Sequence, residues 1–447
     1  MKLRRGYILL IFVTTTIFFI YQHTIHIDWD YQVYVLMAKY FVTGRGYFEV
    51  LRPPLISLML SLFSPLGWKI AEYAYILLVS VLFFICIKKF SKKYKVDTLT
   101  IYTLFFTSFT LFYSFLVGGE LLSMSFLILA LTYLIDKPFL SGSFMALAGL
   151  TRYPALIFLP LGILTKSLRK IAFFYLGVFI TFVPWLIFNY INWGNPLASI
   201  MESFLLNVGN RKNQPITPRH FLIAWNILFF LFPLGVFFKK LSYKDFVIMV
   251  FLILALISFY KISYKYVRYL YWSVFPVAYF SSKFVENHIK GKYYILILLI
   301  IANIFIAIYF TKPTTFYWHN RALKTVGNCS ISSNEWVTFN YLGRNAIIYP
   351  HPKQKLYKRI EEGYRIVLFK KNPEPPYVTD RDFMSSLPLI EETEIYYIIG
   401  IPEKCKLETN KTFVLLYAPQ ISKNLKASFN ILLKNLISWT GLQFPLK

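Results

Sequence analysis

Residues 293–310 read YYILILLIIANIFIAIYF, a run without a single charged side chain. An α-helix needs roughly 20 apolar residues to cross the hydrocarbon core of a bilayer. Comparable runs recur earlier in the chain, at residues 6–27, 70–87, 98–117, 121–135, 171–190, 221–238, 246–260 and 269–284. The whole chain is 57% hydrophobic, far more apolar than a soluble domain. These runs predict a polytopic, α-helical membrane protein.

The charge distribution predicts how the chain is oriented. A net charge of +27 would favour a nucleic-acid partner in a soluble protein, but here the basic residues lie between the apolar runs. Lys2, Arg4 and Arg5 precede the first run. The others cluster in alternate connections, at Lys88, Lys89, Lys92, Lys93, Lys95, Lys137, Lys166, Arg169, Lys170, Lys239, Lys240, Lys244, Lys283, Lys290 and Lys292. Short loops rich in Lys and Arg stay in the cytoplasm. We therefore predict a multi-pass protein of the cell membrane with a cytoplasmic N-terminus and no nucleic-acid partner.

One segment must begin and end on the cytoplasmic side, because Lys137 and Lys166 flank it. Only one apolar block lies between these lysines, and Arg152 interrupts it. We predict two short helices, at residues 138–150 and 154–165, that fold back at the sequence LTRY. Both are shorter than a span, so Arg152 should lie below the outer surface, where its charge needs a polar cavity or a partner. A snorkelling, interfacial arginine is the alternative.

Hydropathy falls abruptly after Phe310. With about eleven spans and the N-terminus inside, everything beyond this point is expected outside. Short alternating runs, AIIYP, YRIVLF and EIYYIIG, are separated by Pro, Asn and Gly and predict the strands of a small α/β domain. The sequence thus predicts a transmembrane domain over residues 1–310 and an extracytoplasmic C-terminal domain over residues 311–447.

Two features of the outer segment complete this description. Cys329 and Cys405 could pair there, but their spacing alone leaves the question open. The stretch at residues 425–442 is apolar on one side, with Lys426 and Lys434 interrupting it. We interpret it as an interfacial helix rather than a further span.

The acidic residues suggest chemistry at one surface of the membrane. Those at outer helix ends and in outer loops are Asp28, Asp30, Glu49 and Glu120. An ion-coupled transporter is expected to carry carboxylates near the middle of its spans, and no internal repeat typical of secondary transporters is visible. The pattern favours a reaction at the outer edge of the membrane over a path across it.

The first outer loop, HIDWDYQVYVLMAKYFVTGRGYFEVLRPPLISLML, combines acids with a rigid basic turn. Asp28 and Asp30 directly follow the first span, and residues 31–41 are predicted to continue as an amphipathic stretch along the surface. The sequence RPPL, beginning at Arg52, then opens an apolar stretch that is too short to span. The acids are catalytic candidates, although N-capping of the following helix explains Asp28 equally well.

The order of these motifs resembles that of the GT-C membrane glycosyltransferases, in the branch of protein O-mannosyltransferases and lipid A aminoarabinose transferases. There an acidic residue precedes a Tyr and a Lys/Arg-Pro-Pro-Leu turn follows, as Asp30, Tyr34 and Arg52 stand here. Further matches follow in order, at GELL from Gly119, GLTRYPA from Gly149 and VRYLYWSVFP from Val267. The resemblance covers the membrane part of the chain.

The resemblance implies transfer of a sugar from a polyprenyl (dolichyl or undecaprenyl) phosphate to a lipid, glycan or protein acceptor outside the membrane, by direct inverting displacement. Asp30 is expected to accept the acceptor's proton, with Glu120 and Asp28 as further catalytic candidates. The donor phosphate is expected to bind the arginines Arg52, Arg152 and Arg268. No cofactor is required. The three carboxylates could hold a divalent cation, but the resemblance does not support one.

The sequence departs from the family pattern in two places, and two other classes of function remain alternatives to a glycosyltransferase. No WWDYG sequence follows Phe310, which disfavours transfer of a whole glycan to asparagine. An Asp-Tyr pair at Asp30 replaces the Asp-Glu pair of protein O-mannosyltransferases, which disfavours a protein acceptor. A lipid or solute transporter and a structural membrane protein remain alternatives. Only the glycosyltransferase predicts one cavity, open to lipid and to the outside, that is lined by Asp30, Glu120, Arg52, Arg152 and Arg268.

Overall fold

A computed structural model describes residues 2–204, 206–207, 214–237, 241–262, 265–314, 316–372, 374–408 and 413–415. The described chain divides into two compact units. The first comprises the residues up to Phe48, Leu55–Ser125 and Val285–Val414. The second comprises Glu49–Pro54 and Phe126–Phe284. The division into two domains at residue 310 remains a prediction.

The described residues of the membrane part are helical apart from the connections, one of which contains a short strand. Its helices are α1 (Lys2–Ile25), α2 (Trp29–Thr43), α3 (Leu55–Leu62), α4 (Trp68–Tyr94), α5 (Thr98–Phe105), α6 (Ser108–Leu116), α7 (Glu120–Tyr133), α8 (Pro138–Thr151), α9 (Leu168–Trp193), α10 (Ala198–Phe204), α11 (Pro218–Trp225), α12 (Leu228–Phe237), α13 (Tyr243–Lys261), α14 (Tyr271–His288) and α15 (Lys292–Phe310). Among the described residues, five are long and apolar enough to span a membrane, namely α1 from Gly6, α4, α9, α13 and α15. Two bent pairs raise the candidate spans to as many as seven. The chain is therefore a multi-pass helical membrane protein, while about eleven spans and their orientation remain predictions.

The bent pairs interrupt two of the predicted spans. The run at residues 98–117 forms α5 and α6, which meet at 74°. At the break, the Thr107 hydroxyl accepts a hydrogen bond from the backbone N–H of Thr110 at 3.3 Å, an N-cap that starts a new helix. The helices α11 and α12 meet at 88°. There Asn226 adopts a φ of 51°, which interrupts helical geometry.

The predicted fold-back at LTRY is confirmed. The helix α8 ends at Thr151, and a 3-10 helix over Tyr153–Thr165 follows Arg152 and contacts α8. The second arm is a 3-10 helix rather than an α-helix, and Pro160 lies inside it, where a proline removes a backbone donor. The first arm packs directly on α9, since a Cβ at Gly142 would lie only 1.9 Å from the carbonyl oxygen of Phe174.

The C-terminal part contains a mixed sheet. Its helices are α16 (Tyr317–Val326), α17 (Trp336–Tyr341), α18 (Lys353–Glu361) and α19 (Arg381–Ser385). The strands of the chain are β1 (Tyr47–Glu49), β2 (Ile331–Ser333), β3 (Ile347–Ile348), β4 (Arg365–Phe369), β5 (Leu389–Glu392), β6 (Tyr396–Ile399) and β7 (Phe413–Leu415). Five of them form a sheet of order β3-β2-β4-β6-β5, and β1 pairs with β7. The strands β3, β2 and β4 are parallel, whereas β6 is antiparallel to β4 and β5.

The three predicted strands are confirmed as β3, β4 and β6. They were recognisable because β6 is apolar throughout, β4 is apolar after Arg365, and both strands are buried. The unpredicted strands β2 and β5 carry serines and glutamates. Cys329 and Cys405 form a disulfide with Cα atoms 5.3 Å apart, a pairing that the sequence left open. The predicted interfacial helix at residues 425–442 lies outside the described residues.

The helix after Asp30 differs from its prediction. We expected an amphipathic stretch on the surface, but residues 31–38 of α2 are buried without interruption. The helix packs against α3 and also against α17 of the C-terminal sheet region. The second contact comes from a segment about 300 residues further along the chain, so the local pattern could not show it.

Candidate active site

The first turn of α2 carries the two carboxylates of the first outer loop. Asp28 is the N-cap, and its Oδ1 accepts a hydrogen bond from the backbone N–H of Asp30 at 3.0 Å. The structure therefore gives Asp28 the capping contact that the sequence offered as an alternative. Asp30 is half-buried in the first helical turn. The positive end of the helix dipole stabilises a carboxylate at this position.

The turn before α7 brings Glu120 against the same end of α2. Glu120 is 2% exposed, and its carboxylate accepts a hydrogen bond from the preceding backbone N–H at 3.3 Å. Gly118 has a φ of +92°, and a Cβ there would lie 2.9 Å from a ring carbon of Tyr31. Tyr75 donates a hydrogen bond to the Gly118 carbonyl at 2.5 Å. The turn that carries Glu120 thus packs on the residue next to Asp30.

A buried carboxylate that the sequence analysis overlooked, Glu72, lies near the start of α4. It is 2% exposed, and its Oε2 lies 2.7 Å from Nε2 of His23. The hydroxyl of Tyr341 donates to its Oε1 at 3.0 Å. Because His23 belongs to α1 and Tyr341 to α17, this carboxylate joins two membrane helices to the C-terminal sheet region. An ionisable residue inside an apolar run was the available signal.

Tyr31 lies between the two groups of carboxylates. Its ring centroid is 4.7 Å from that of His23 and 6.4 Å from that of Tyr75. The side chain is fully buried, and among the described residues its hydroxyl has no hydrogen-bond partner. Burial, together with the charge of Glu72, raises the pKa of Tyr31 well above its usual value. The phenol therefore stays protonated and can donate a hydrogen bond.

In the second unit, Arg52 pairs with the acid three residues before it. Its Nε donates to Oε2 of Glu49 at 2.8 Å, where Glu49 is fully buried and the Arg52 side chain is 17% exposed. A carboxylate held inside the protein fixes one edge of the guanidinium. The two prolines that follow fix the backbone at this turn. The sequence singled out Arg52 but not its partner.

Arg152 lies at the tip between α8 and the 3-10 helix, as predicted. Its backbone is extended, its N–H donates to the Ala148 carbonyl at 2.9 Å, and its side chain is half-buried. The neighbouring Tyr153 accepts a hydrogen bond from Nε1 of Trp185 at 2.7 Å. The tip is therefore held against α9.

Arg268 lies on a 3-10 turn over Val267–Leu270 that leads into α14. Its guanidinium carbon is 5.3 Å from the ring centroid of Tyr269, within the range of a cation–π contact. Lys265, which is 4% exposed, donates to the Tyr260 carbonyl at 2.6 Å. A cation on the last carbonyls of α13 stabilises that helix end and anchors the turn that carries Arg268.

The carboxylates and the arginines of the prediction therefore belong to different units. Around Tyr31, the first unit gathers Asp28, Asp30, Glu72 and Glu120. The second unit holds Arg52, Arg152 and Arg268. Among the described residues, no three His, Cys, Asp or Glu side chains form a group that could hold a metal ion. The catalytic and donor-binding roles of these residues remain predictions.

Comparison of the sequence finds no matching family model and no matching curated protein. Comparison of the fold does find similar solved structures. The crystal structure of ArnT from Cupriavidus metallidurans bound to undecaprenyl phosphate matches with a TM-score of 0.63 at 8% identity, over 89% of this chain and 98% of that one. The same enzyme in the apo state matches with a TM-score of 0.62 at 10% identity, over 89% and 99% of the two chains. The protein thus has an ArnT-like fold.

Proposed function

We propose that the protein transfers a sugar from a polyprenyl-phosphate donor to an acceptor at the membrane surface. The fold carries this proposal, because a solved protein with the same fold over 98% of its length binds undecaprenyl phosphate. The groups around Tyr31 add a second argument. Asp30 supplies a carboxylate in the first turn of α2, and Tyr31 supplies a phenol that can donate a hydrogen bond.

In the proposed reaction, an acceptor hydroxyl or amine attacks the anomeric carbon of the donor sugar. The bond from that carbon to the phosphate oxygen breaks, and polyprenyl phosphate leaves with the bonding electron pair, so the configuration inverts. The acceptor's proton passes to Asp30, a role for which a carboxylate within hydrogen-bond reach is needed. Glu120 is the second candidate for this base. Asp28, which caps the helix, supports the position of Asp30.

The donor phosphate needs cationic donors rather than a proton. We assign this role to Arg52, Arg152 and Arg268. Arg52 and Arg152 lie in connections between helices, and Arg268 lies on a short 3-10 helix before α14. Such positions suit a charged group that must reach a lipid phosphate. The proposal needs no metal ion, because all of the charge compensation comes from guanidinium groups.

We also propose that the N-terminus is cytoplasmic and the C-terminal sheet region is outside, with about eleven spans. The disulfide between Cys329 and Cys405 supports this orientation, because disulfides persist in oxidising compartments. Cysteines introduced at Lys92 and at Glu361 should be labelled from opposite sides of the membrane. Labelling of both from one side would contradict the orientation.

A transporter of a lipid or solute is the second candidate, and one observation favours it. The contact of His23 with Glu72 places two ionisable side chains in the apolar helices α1 and α4, as proton relays do. Mass spectrometry of polyprenyl-phosphate sugars and glycans, in cells with and without the protein, distinguishes the candidates. Glycosyl transfer predicts accumulated donor and a missing glycan without the protein. If the protein is a transporter, cells without it should contain the same donors and glycans, but these should remain on one side of the membrane.

A further inference from the structure

The second half of α2 carries a positive charge that no carboxylate neutralises directly. The ammonium of Lys39 lies 5.9 Å from the Trp68 ring centroid and 5.8 Å from that of Tyr341. The side chain is only partly exposed, and among the described residues no carboxylate lies within ion-pair distance of it. Burial lowers the pKa of Lys39, and the charge of Glu72 acts in the opposite direction.

A second lysine belongs to the same cluster. Nζ of Lys69 lies 3.8 Å from Oε2 of Glu72 and 5.4 Å from the Tyr73 ring centroid. The same carboxylate accepts the hydrogen bond from Tyr341, whose ring faces Lys39. The cluster thus has two ammonium groups and one carboxylate, and that carboxylate lies within ion-pair distance of Lys69. The excess is at least one positive charge, and it is larger when the His23 imidazole on Glu72 is protonated.

The surface beside this cluster is apolar. Leu62, Leu66 and Ile70 are 75%, 58% and 56% exposed, and they lie between the end of α3 and the start of α4. Exposed aliphatic side chains next to Trp and Lys are typical of the interface between lipid tails and headgroups. A ligand of the two lysines is therefore expected to bring an acyl chain with it.

We propose that Lys39 and Lys69 bind the phosphodiester of an anionic phospholipid, with its acyl chains along Leu62, Leu66 and Ile70. One phosphodiester carries one negative charge, which matches the excess of the cluster. A zwitterionic lipid carries its own cationic group, so its binding gains less from the two lysines. The site shares Glu72 with the carboxylates around Tyr31, but neither lysine has a role in the proposed sugar transfer. Lipid binding can therefore be tested whether or not the protein is a glycosyltransferase.

Native mass spectrometry of the purified protein tests the proposal, with vesicle lipids of phosphatidylglycerol or phosphatidylcholine. Wild type should retain one phosphatidylglycerol and gain thermal stability from it. A basic residue near the membrane surface contributes about 1 kcal/mol of attraction to anionic lipid, equivalent to about a fivefold change in affinity. The double substitution Lys39→Gln and Lys69→Gln should therefore weaken retention by about 25-fold.

Two controls sharpen the experiment. Lys261→Gln and Lys324→Gln remove exposed lysines elsewhere and should leave retention unchanged. Lys39→Arg with Lys69→Arg keeps both charges and should preserve binding, even if the glutamine variants fold poorly. Unchanged retention in the folded glutamine variant would overturn the proposal, as would loss of binding in the arginine variant. Equal stabilisation by soluble glycerophosphoglycerol would identify a site for free phosphodiesters and contradict the lipid.

Discussion

The carboxylates of the first unit and the arginines of the second are held in place in different ways. Glu72 and Glu120 are both 2% exposed. Glu72 has partners on distant helices, and the turn before Glu120 packs on Tyr31 of α2. Arg152 and Arg268 lie at breaks between helices, where the local backbone sets their positions. A change among the acids should therefore disturb packing between segments, whereas a change at an arginine should stay local and affect ligand binding.

The largest effect is expected at Asp30, because it lies in the capped first turn of α2 and is the proposed base of the reaction. Asp30→Asn keeps the shape of the side chain but removes the base, so turnover should fall by roughly 10²–10⁴-fold while the protein stays folded. The assay is sugar transfer by the purified protein. Asp28→Asn is the matched control, since Asn caps a helix as well as Asp, and it should be milder. Equal losses in both variants would assign a structural role to Asp30.

Next in size is the hydrogen bond between Tyr341 and Glu72. Tyr341→Phe removes a donor to a buried charge, so the free energy of unfolding should fall by about 1.5–3 kcal/mol. Thermal or denaturant unfolding in detergent measures this. The matched control is Tyr357→Phe, because Tyr357 is 44% exposed. If the two substitutions cost the same, the carboxylate does not join α17 to the membrane helices.

Substitution of one of these arginines should leave the stability of the protein unchanged and weaken ligand binding. Arg152→Leu should insert and fold normally, because an apolar residue suits the depth predicted for the tip. Its affinity for undecaprenyl phosphate should fall roughly 10- to 100-fold, the size of one charged hydrogen bond. Arg169→Leu, an exposed arginine on α9, is the control and should bind normally. Unchanged binding by Arg152→Leu would make Arg152 a snorkelling residue.

A third region extends the comparison to pH. Burial raises the pKa of Glu335 from its ordinary 4.5 to about 7. Between these pH values the folded protein holds a proton that the unfolded chain has lost, so stability falls as pH rises through this window and levels off above it. Glu335→Gln should remove that slope, by up to about 3 kcal/mol at pH 7. Melting curves between pH 5 and 8 measure it, and an identical slope in both proteins would place the proton elsewhere.

The sequence predicted features that depend on local pattern. The fold-back at Arg152 followed from charge parity and helix length, and the strands β4 and β6 followed from short runs bounded by turn residues. The sequence also identified the candidate arginines Arg52, Arg152 and Arg268, which lie between the long helices. Pro160, inside the second arm of the fold-back, was a visible signal for its 3-10 geometry that the prediction did not use.

Features that depend on distant contacts were missed. Residues 31–38 of α2 are buried, and α2 packs against both α3 and the distant α17. No pattern within α2 indicates the contact with α17. Glu72 sits in an apolar run, but its partners His23 and Tyr341 come from opposite ends of the chain. The same limit applies to the sheet, where β2 is an interior strand only because it pairs with both β3 and β4.

The most direct test of the central claim is the reaction itself. Purified wild-type protein in lipid nanodiscs would be given polyprenyl-phosphate sugars, and both free polyprenyl phosphate and glycosylated acceptor would be measured by mass spectrometry. We expect one equivalent of polyprenyl phosphate for each sugar transferred, with inverted anomeric configuration in the product. Movement of intact donor across the bilayer with no cleavage of the sugar–phosphate bond would contradict the account and favour a transporter.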